Sequence, residues 1–419
     1  MPAQADVAVI GGGYCGLMAA LTLARAGASV VVLEAGDPGF GASTRNHGHI
    51  GGGGKLPPGL DKLVGAERAQ LIREDTVDAT EFLRELIRAE ALDVDLVQRG
   101  RFIAAHSRKA YAGLQRRAEA MRSGLRLTVN DVPERDQRQE IGSDFYHGGI
   151  TVEEASALHP AKLHRGLRGL AEAAGTVVCG RARVTGIERG AGRHRLRTTR
   201  GGIDAGTVVA ATNAYTDAAM PELRRRVIPV TATLIATEAL PPEVAHGVLP
   251  RNRTGGDTKR ALYAFRRSPD GRRVIFAGRA RFHEIDERES SVILHRFMCG
   301  VWPQLAPYRV THGWKGYVGF TFDFLPHMGE QDGIHYAAGC QGSGVTTMTY
   351  LGHQVALKIL GRQNRPSGFD SAHFPTMPGY GGRPWFVPAV GGYYRLRDAL
   401  DRAFSARAGD PVPAPAATK

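Results

Sequence analysis

Apolar residues along the chain fall into short blocks whose spacing alternates between continuous runs and helical periods. The first block, "DVAVI" (6–10), is a continuous apolar run ending at glycines, which predicts a short buried strand. "GGGYCG" follows as a tight turn. "LMAALTLARAG" then carries helical spacing and stops at Gly27, a C-terminal cap. "SVVVLE" supplies a second parallel strand, so residues 6–34 read as one βαβ unit.

Further along, residues 66–91 predict an amphipathic helix with Leu71, Ile72, Phe82, Leu83 and Leu86 on its apolar side. "GRFIAAH" (100–106) predicts a strand, and helices are expected over 108–122 and 155–174. "TVVCGRARVTGIERG" reads as a strand pair. "RLRTTRGGIDAGTVVAAT" reads as a hairpin feeding a buried strand that ends at Thr212. "ALYAFRRSPDGRRVIFAGRA" (261–280) is a β-hairpin around the turn "SPDG". A helix near 287–300, a strand at "GIHYAAG" and a helix starting near Val345 complete the pattern. Residues 405–419, rich in Ala and Pro, read as a disordered tail.

Composition narrows the class. Apolar residues make up 42% and charged residues 23% of 419 residues, ordinary for a globular enzyme. The 54 glycines cluster, which suggests backbone approaching a ligand. The net charge of +13 fits a solvated arginine-rich surface or attraction of an anionic cofactor or substrate. No interleaved basic and aromatic motif supports nucleic-acid binding. Cys15, Cys179, Cys299 and Cys340 fit neither zinc spacing nor a disulfide framework, so no metal is expected and a reduced, cytoplasmic setting is. The first apolar run is too short for a signal peptide, and no run is long enough to cross a bilayer.

Gly11, Gly13 and Gly16 give G-x-G-x-x-G between a strand and a helix. Gly11 permits the turn, Gly13 lets backbone approach a pyrophosphate, and Gly16 lets the helix pack on the sheet. The helix N-terminus offers free N–H groups to the phosphates. Glu34, with Ala35 beside it at the end of the second strand, can accept hydrogen bonds from an adenosine ribose. The chain then enters "GASTRNHGHIGGGG" rather than another βαβ crossover. That stretch is too polar and glycine-rich for a core strand or helix. Extended backbone of this kind can run along a long cofactor. Ser43 and Arg45 can contact phosphates or ribityl oxygens, and Asn46, His47, Gly48 and His49 can reach a flavin ring. The cofactor read from these residues is FAD. The expected fold is α/β: a Rossmann-type FAD-binding domain, discontinuous over 1–80, 150–220 and 325–404, with an interleaved antiparallel-sheet substrate domain over 81–149 and 221–324.

Five stretches carry a resemblance to a known family. They are "VAVIGGGYCGLMAALTLARAG" with "VVVLEAG"; "GASTRNHGHIGGG"; "RVTGIERG" with "VVAATNAYT"; "WKGYVGFTFDFLPHMG"; and "YAAGCQGSGVTTMTYLG". In this combination and order the chain resembles the FAD-dependent D-amino-acid oxidase superfamily, and within it the glycine, sarcosine and γ-glutamylputrescine oxidoreductase branch. The resemblance implies that Val184 lies against adenine, and that Ala211 and Thr212 stand beside the cofactor phosphates. It also implies that the loop of Gly339, Gly342 and Gly344 passes close to the flavin. The helix opening near Val345 and Thr346 would aim its N-terminal amides at the flavin edge that becomes negative on reduction.

The activity expected is oxidation of an amine or amino acid, an anionic one among the candidates, by hydride transfer to flavin. Such chemistry needs positioning and no obligatory side-chain base. Candidates to position substrate are His49, Tyr263, Arg266 and Trp314, with Cys340 and Gln341 behind them. Arg266 lies on the hairpin strand that the resemblance turns toward substrate, and Arg267 would point away from it. Phe322 can add an apolar wall, and Lys315 can act on dioxygen. FAD is expected to be noncovalent and the acceptor dioxygen, with an electron carrier as the alternative. The rival readings are FAD-dependent oxidation of a 2-hydroxy acid, a flavoprotein component of RNA modification, and a noncatalytic subunit of a flavin complex.

Overall fold

In the computed structural model, residues 1–51, 56–190 and 192–405 are described. The expectations on Gly52–Gly54 and on the tail from 406 lie outside the described residues.

The first part of the chain forms β1 (Gln4–Ile10), α1 (Tyr14–Arg25), β2 (Val30–Leu33), α2 (Ala42–Arg45), β3 (His49–Ile50), α3 (Leu60–Val64) and α4 (Ala66–Ala89). Next come β4 (Arg101–Ala104), α5 (Arg108–Leu125), β5 (Val129–Val132), β6 (Gly149–Val152), β7 (Ser156–Ala157), α6 (Pro160–Ala173) and β8 (Val177–Cys179). Then β9 (Val184–Arg189), β10 (His194–Thr198), β11 (Gly201–Ala210), α7 (Pro221–Arg224), β12 (Ile228–Thr237), α8 (Pro242–Val248) and β13 (Thr254–Asp257) follow. The last elements are β14 (Ala264–Arg267), β15 (Val274–Gly278), α9 (Glu287–Val301), β16 (Val310–Phe320), β17 (His327–Gln331), β18 (Ile334–Ala338), α10 (Gly344–Ile359) and α11 (Val387–Ala403).

Two sheets organise these elements, giving the expected α/β fold. The first has the order β17-β18-β11-β1-β2-β8, with β10 pairing β11 and β9 pairing β10. Strands β18, β11, β1, β2 and β8 are parallel. Val7 to Ile10 are all buried, because helices and chain cover both faces of a parallel sheet. That double burial is why "DVAVI" is continuously apolar instead of alternating. The second sheet has the order β16-β12-β15-β14-β13-β4-β6-β5. It is antiparallel except for the parallel pair β13–β4. Its core gathers Phe102, Phe265, Phe276 and Trp302, with α9 packed over it.

Several expectations are corrected. "STRNHGHI" does turn into a short helix, α2, and a two-residue strand, β3, which pairs with β7. That pairing occupies Ser156 and Ala157, so the helix expected from 155 begins only at Pro160. β8 and β9 share a sheet but not a ladder: β8 pairs with β2 and β9 with β10. β6 belongs to the second sheet, so a boundary at 150 falls inside a strand.

Two packing features position the site. Helices α1 and α10 meet backbone to backbone: a Cβ on Gly352 would lie 2.2 Å from the Cys15 carbonyl oxygen. Helix α11 fastens the chain at the ends of the central strands β13, β14 and β15 of the second sheet. Its Arg395 Nη2 donates to the carbonyls of Arg279 and Ala280, and its Asp398 accepts from the Arg260 and Ala261 amides at 3.1 and 3.0 Å. No helix among the described residues is long and apolar enough to cross a membrane.

Candidate functional site

A cavity of about 980 Å³ runs from the C-terminal ends of β1, β2 and β11 to the second sheet. The ends of parallel strands are where such folds hold ligands. Most residues expected at the cofactor line it. Gly11 and Gly13 form its floor at the start of α1, and Glu34, Ala35 and Val184 lie at the β2 side. Ser43, Arg45, Asn46, His47 and Gly48 form one wall, and Ala211 and Thr212 follow β11. Gly342, Gly344, Val345 and Thr346 bring in the start of α10. Gly16 lies beneath the turn instead: a Cβ there would sit 1.9 Å from the Gly11 carbonyl oxygen, so only glycine lets α1 approach.

The residues around the turn hold it in shape. Glu34 Oε2 accepts from the Gly12 amide at 2.8 Å and Oε1 from the Gly36 amide at 2.9 Å. Ser43 Oγ accepts from the Tyr14 amide at 3.0 Å, supplying the helix cap that Gly13 lacks. His164, on α6, bonds the Gly12 carbonyl through Nε2 at 2.7 Å. Asn46 ties its own loop through Ala42 and Ser43 carbonyls and accepts from the Gly48 amide at 2.8 Å. Helices α1 and α10 thus both open onto one cavity, and neither N-terminus has a cap from its own N-cap side chain. Two positive helix ends on a single long groove fit an anionic dinucleotide with a ring that takes up negative charge. The residues present therefore suit FAD.

At the second-sheet end, His47 Nδ1 and His49 Nε2 are 2.7 Å apart, and Thr254 Oγ1 bonds His49 Nε2. Burial, with the Arg266 charge adding to it, lowers the His47 pKa to about 3. His47 is therefore neutral at physiological pH. Its folded value is depressed below the ordinary 6.5, so the unfolded chain binds the extra proton between those values. Stability should consequently be full above about pH 6.5 and fall as pH drops toward 3. His47→Asn should flatten that acid limb of the melting temperature, measured by thermal shift across pH.

Of the residues expected at substrate, His49 lines the cavity, and Tyr263, Arg266 and Trp314 do not. Tyr263 turns into the core against Phe276 and Phe297, with Lys259 Nζ over its ring. Arg266 is buried behind the wall, donating from Nη1 to the Leu158 carbonyl at 2.8 Å. Trp314 braces the wall from behind, its Nε1 donating to the Arg45 carbonyl at 3.0 Å. Gln341 is likewise spent on Thr321 Oγ1 at 2.7 Å, while Cys340 does reach the cavity. Phe322 packs on Tyr380 and Phe386, and Phe320 supplies the apolar wall instead. Lys315 is engaged away from the cavity with Glu284 and Glu287, at 3.5 and 3.7 Å. Arg267 is half-buried and donates to Asn252, rather than standing in solvent.

Cavity residues that sequence reasoning missed include Arg101, His164, Lys259, Arg279 and Tyr317. Arg101 and Arg279 each follow a glycine in a strand segment, "GRF" and "GRA", a signal too local to single them out.

Comparisons with known proteins agree with this geometry. Residues 6–357 match the family described as FAD dependent oxidoreductase, DAO. The gamma-glutamylputrescine oxidoreductase of Escherichia coli is 31% identical over 401 residues, covering 94% of this chain and 93% of that protein. A probable oxidoreductase, OrdL, of Rhizobium meliloti is 30% identical, covering 90% and 88%. The crystal structure of glycine oxidase from Geobacillus kaustophilus superposes with a TM-score of 0.75 at 21% identity, covering 90% of this chain and 99% of that one. The chain, with its dinucleotide turn, its second helix start on the same cavity and a match over most of its length, belongs to the FAD-dependent oxidoreductases of the D-amino-acid oxidase superfamily.

Proposed function

We propose that this chain oxidises the carbon–nitrogen bond of a small amine or amino acid, giving an imine that hydrolyses, with dioxygen as final acceptor and hydrogen peroxide as product. FAD, when bound, supplies the hydride acceptor. The observation that carries the reading is the meeting, in one cavity, of the α1 start, the α10 start and the His47–His49 pair. The chain's own part is to hold and orient. The α10 amides favour negative charge beside them, and Val318, Phe320 and Leu234 give an apolar wall that excludes water. His47 keeps no charge that would repel an amine, and its ring is held between His49 and the Ile275 carbonyl. Amine chemistry is favoured over hydroxy-acid chemistry because the histidine pair is already hydrogen-bonded to itself and to Thr254. Relatives named for gamma-glutamylputrescine and for glycine support a nitrogen-bearing substrate.

We read the flavin as noncovalent and the setting as cytoplasmic, since all four cysteines are free and widely spaced. The test is anaerobic mixing of the yellow holoenzyme with amines, amino acids and 2-hydroxy acids, followed at the flavin absorbance. Amines or amino acids should bleach it, and readmitted oxygen should restore colour with peroxide formed. Bleaching by hydroxy acids alone would overturn the reading. Acid precipitation should leave the yellow colour in the supernatant.

A further inference from the structure

Helix α11 is turned the opposite way from an ordinary surface helix. Such helices put apolar residues against the body and charges in solvent. In α11 the charges point inward. Arg395 donates to the Arg279 and Ala280 carbonyls, and Asp398 and Asp401 accept from Arg260 Nη1 at 2.9 and 2.8 Å. The Arg402 guanidinium lies 3.6 Å from the centroid of the Phe145 ring, and Arg397 has its Nε buried. The exposed positions of the helix carry no charge. Tyr393 is 57%, Leu396 59% and Leu400 40% exposed, and Phe404, just past the helix, 87%. Ala389, Gly392, Ala399 and Ala403 are exposed between them.

Two further observations point to a partner on this face. The first is Gly392. A glycine inside a helix costs about 1 kcal/mol against alanine. A Cβ on Gly392 would meet nothing within 4 Å among the described residues, whereas one on Gly391 would strike Phe282. The fold of a single chain therefore gives a reason for Gly391 and none for Gly392. The second is area. With Trp385 and Val390 beside them, the large side chains offer roughly 700 Å² of apolar surface. The largest such patch on a soluble monomer is about 300–600 Å², and a stable interface takes about 800 Å² from each partner. Helix α11 also lies beyond residues 6–357, the part that matches the family.

We propose that α11 is a dimerisation face, and that its occupant is α11 of a second copy of this chain, packed antiparallel about a two-fold axis at Leu396. That register sets Leu396 against Leu396, Gly392 against Leu400 and Tyr393 against Ala399 of the other copy, so large side chains meet small ones in both directions. A two-fold interface must be complementary to itself, and a face without charge meets its own image with no like charges opposed. A bilayer fits less well, because helices that lie in a membrane interface aim Lys and Arg at the headgroups, and those of α11 are engaged with the body. Residues 406–419 hold one valine and no larger apolar side chain, too little to cover the stripe. The inner face of α11 grips Arg279, which lines the cavity, so pairing also clamps the cavity wall from outside.

Analytical ultracentrifugation of the holoenzyme over a concentration series tests this. The parent should sediment at twice the mass of one chain. Leu396→Arg should raise the dimer dissociation constant about a hundredfold or more, because two uncompensated charges enter an apolar seam. Gly392→Glu should do the same and serves if the Arg variant folds poorly, since the site is open in the single chain and glutamate is the better helix former. Both variants should stay yellow at the parent's ratio of flavin to protein. Val177→Arg, at an exposed position of β8 in the first sheet, should leave the dimer intact. A parent that is monomeric at micromolar concentration, a dimer that persists in both α11 variants, colourless protein from both, or dissociation by Val177→Arg alone would each overturn the proposal. So would a monomeric parent that sediments with phosphatidylglycerol vesicles and no longer does so as Leu396→Arg, which would give the face to a bilayer.

Discussion

Gly16→Val is expected to give protein that no longer retains FAD. Any Cβ at this position meets the Gly11 carbonyl oxygen at 1.9 Å and Val9 Cγ1 at 3.1 Å. The first of these is backbone just past β1, held by the Gly11 amide's bond to the Leu33 carbonyl at 2.9 Å, so the side chain cannot be absorbed by a rotamer change. The start of α1 must lift off the sheet instead. Overpacking of this kind costs about 1–3 kcal/mol in stability. The functional loss should be larger, because the lift carries the α1 amides away from the phosphates they would meet. The ratio of flavin to protein absorbance after gel filtration measures it. A yellow variant with the parent's ratio would show that the turn does not bind the cofactor as argued.

Asp75→Ala should produce the largest loss of stability. Asp75 lies on α4 with no solvent exposure. It accepts from Tyr350 Oη at 3.1 Å, from Ser367 Oγ and the Gly368 amide at 2.7 Å each, and pairs with Arg365 at 2.8 Å. One carboxylate thus joins α4, α10 and the segment that follows α10. Removing it leaves donors buried without acceptors and Arg365 with Asp78 as its remaining carboxylate. Each buried donor so orphaned costs about 1–3 kcal/mol. At about 1 °C per kcal/mol for a chain of 419 residues, the melting temperature should fall by several degrees. Saturating FAD should recover part of the loss, because Thr76 and Thr80 of the same helix line the cavity. A variant that melts with the parent would contradict the role given to Asp75.

What the sequence made legible follows from distance along the chain. The β1–turn–α1–β2 unit is closed within 30 residues, so its spacing, its glycines and Glu34 could all be read locally. The same holds for the hairpin of β14 and β15, whose turn is written in "SPDG". Strand parity was less informative. Ala264 lines the cavity while Arg266, two residues on, is buried against Leu158. Alternation tells which side a residue takes, not how far along the strand the cavity extends. Arg101 was missed because its place on the cavity arises from the parallel pairing of β4 with β13, about 150 residues later, which no local pattern encodes. Helix α11 went unread: Pro388, Gly391 and Gly392 all fall in its first two turns, where they weaken the helical signal. Gly391 is there because Phe282 occupies the space a side chain would need.

The backbone contact between Gly352 and Cys15 has a further consequence. It sets the separation of the two helix starts by steel-on-steel fit within the polypeptide, whether or not a nucleotide is present. The slot is therefore gauged before its occupant arrives. A cofactor entering it spends little of its interaction energy on ordering the chain, and a shorter nucleotide that touches only one helix start gains nothing from the other.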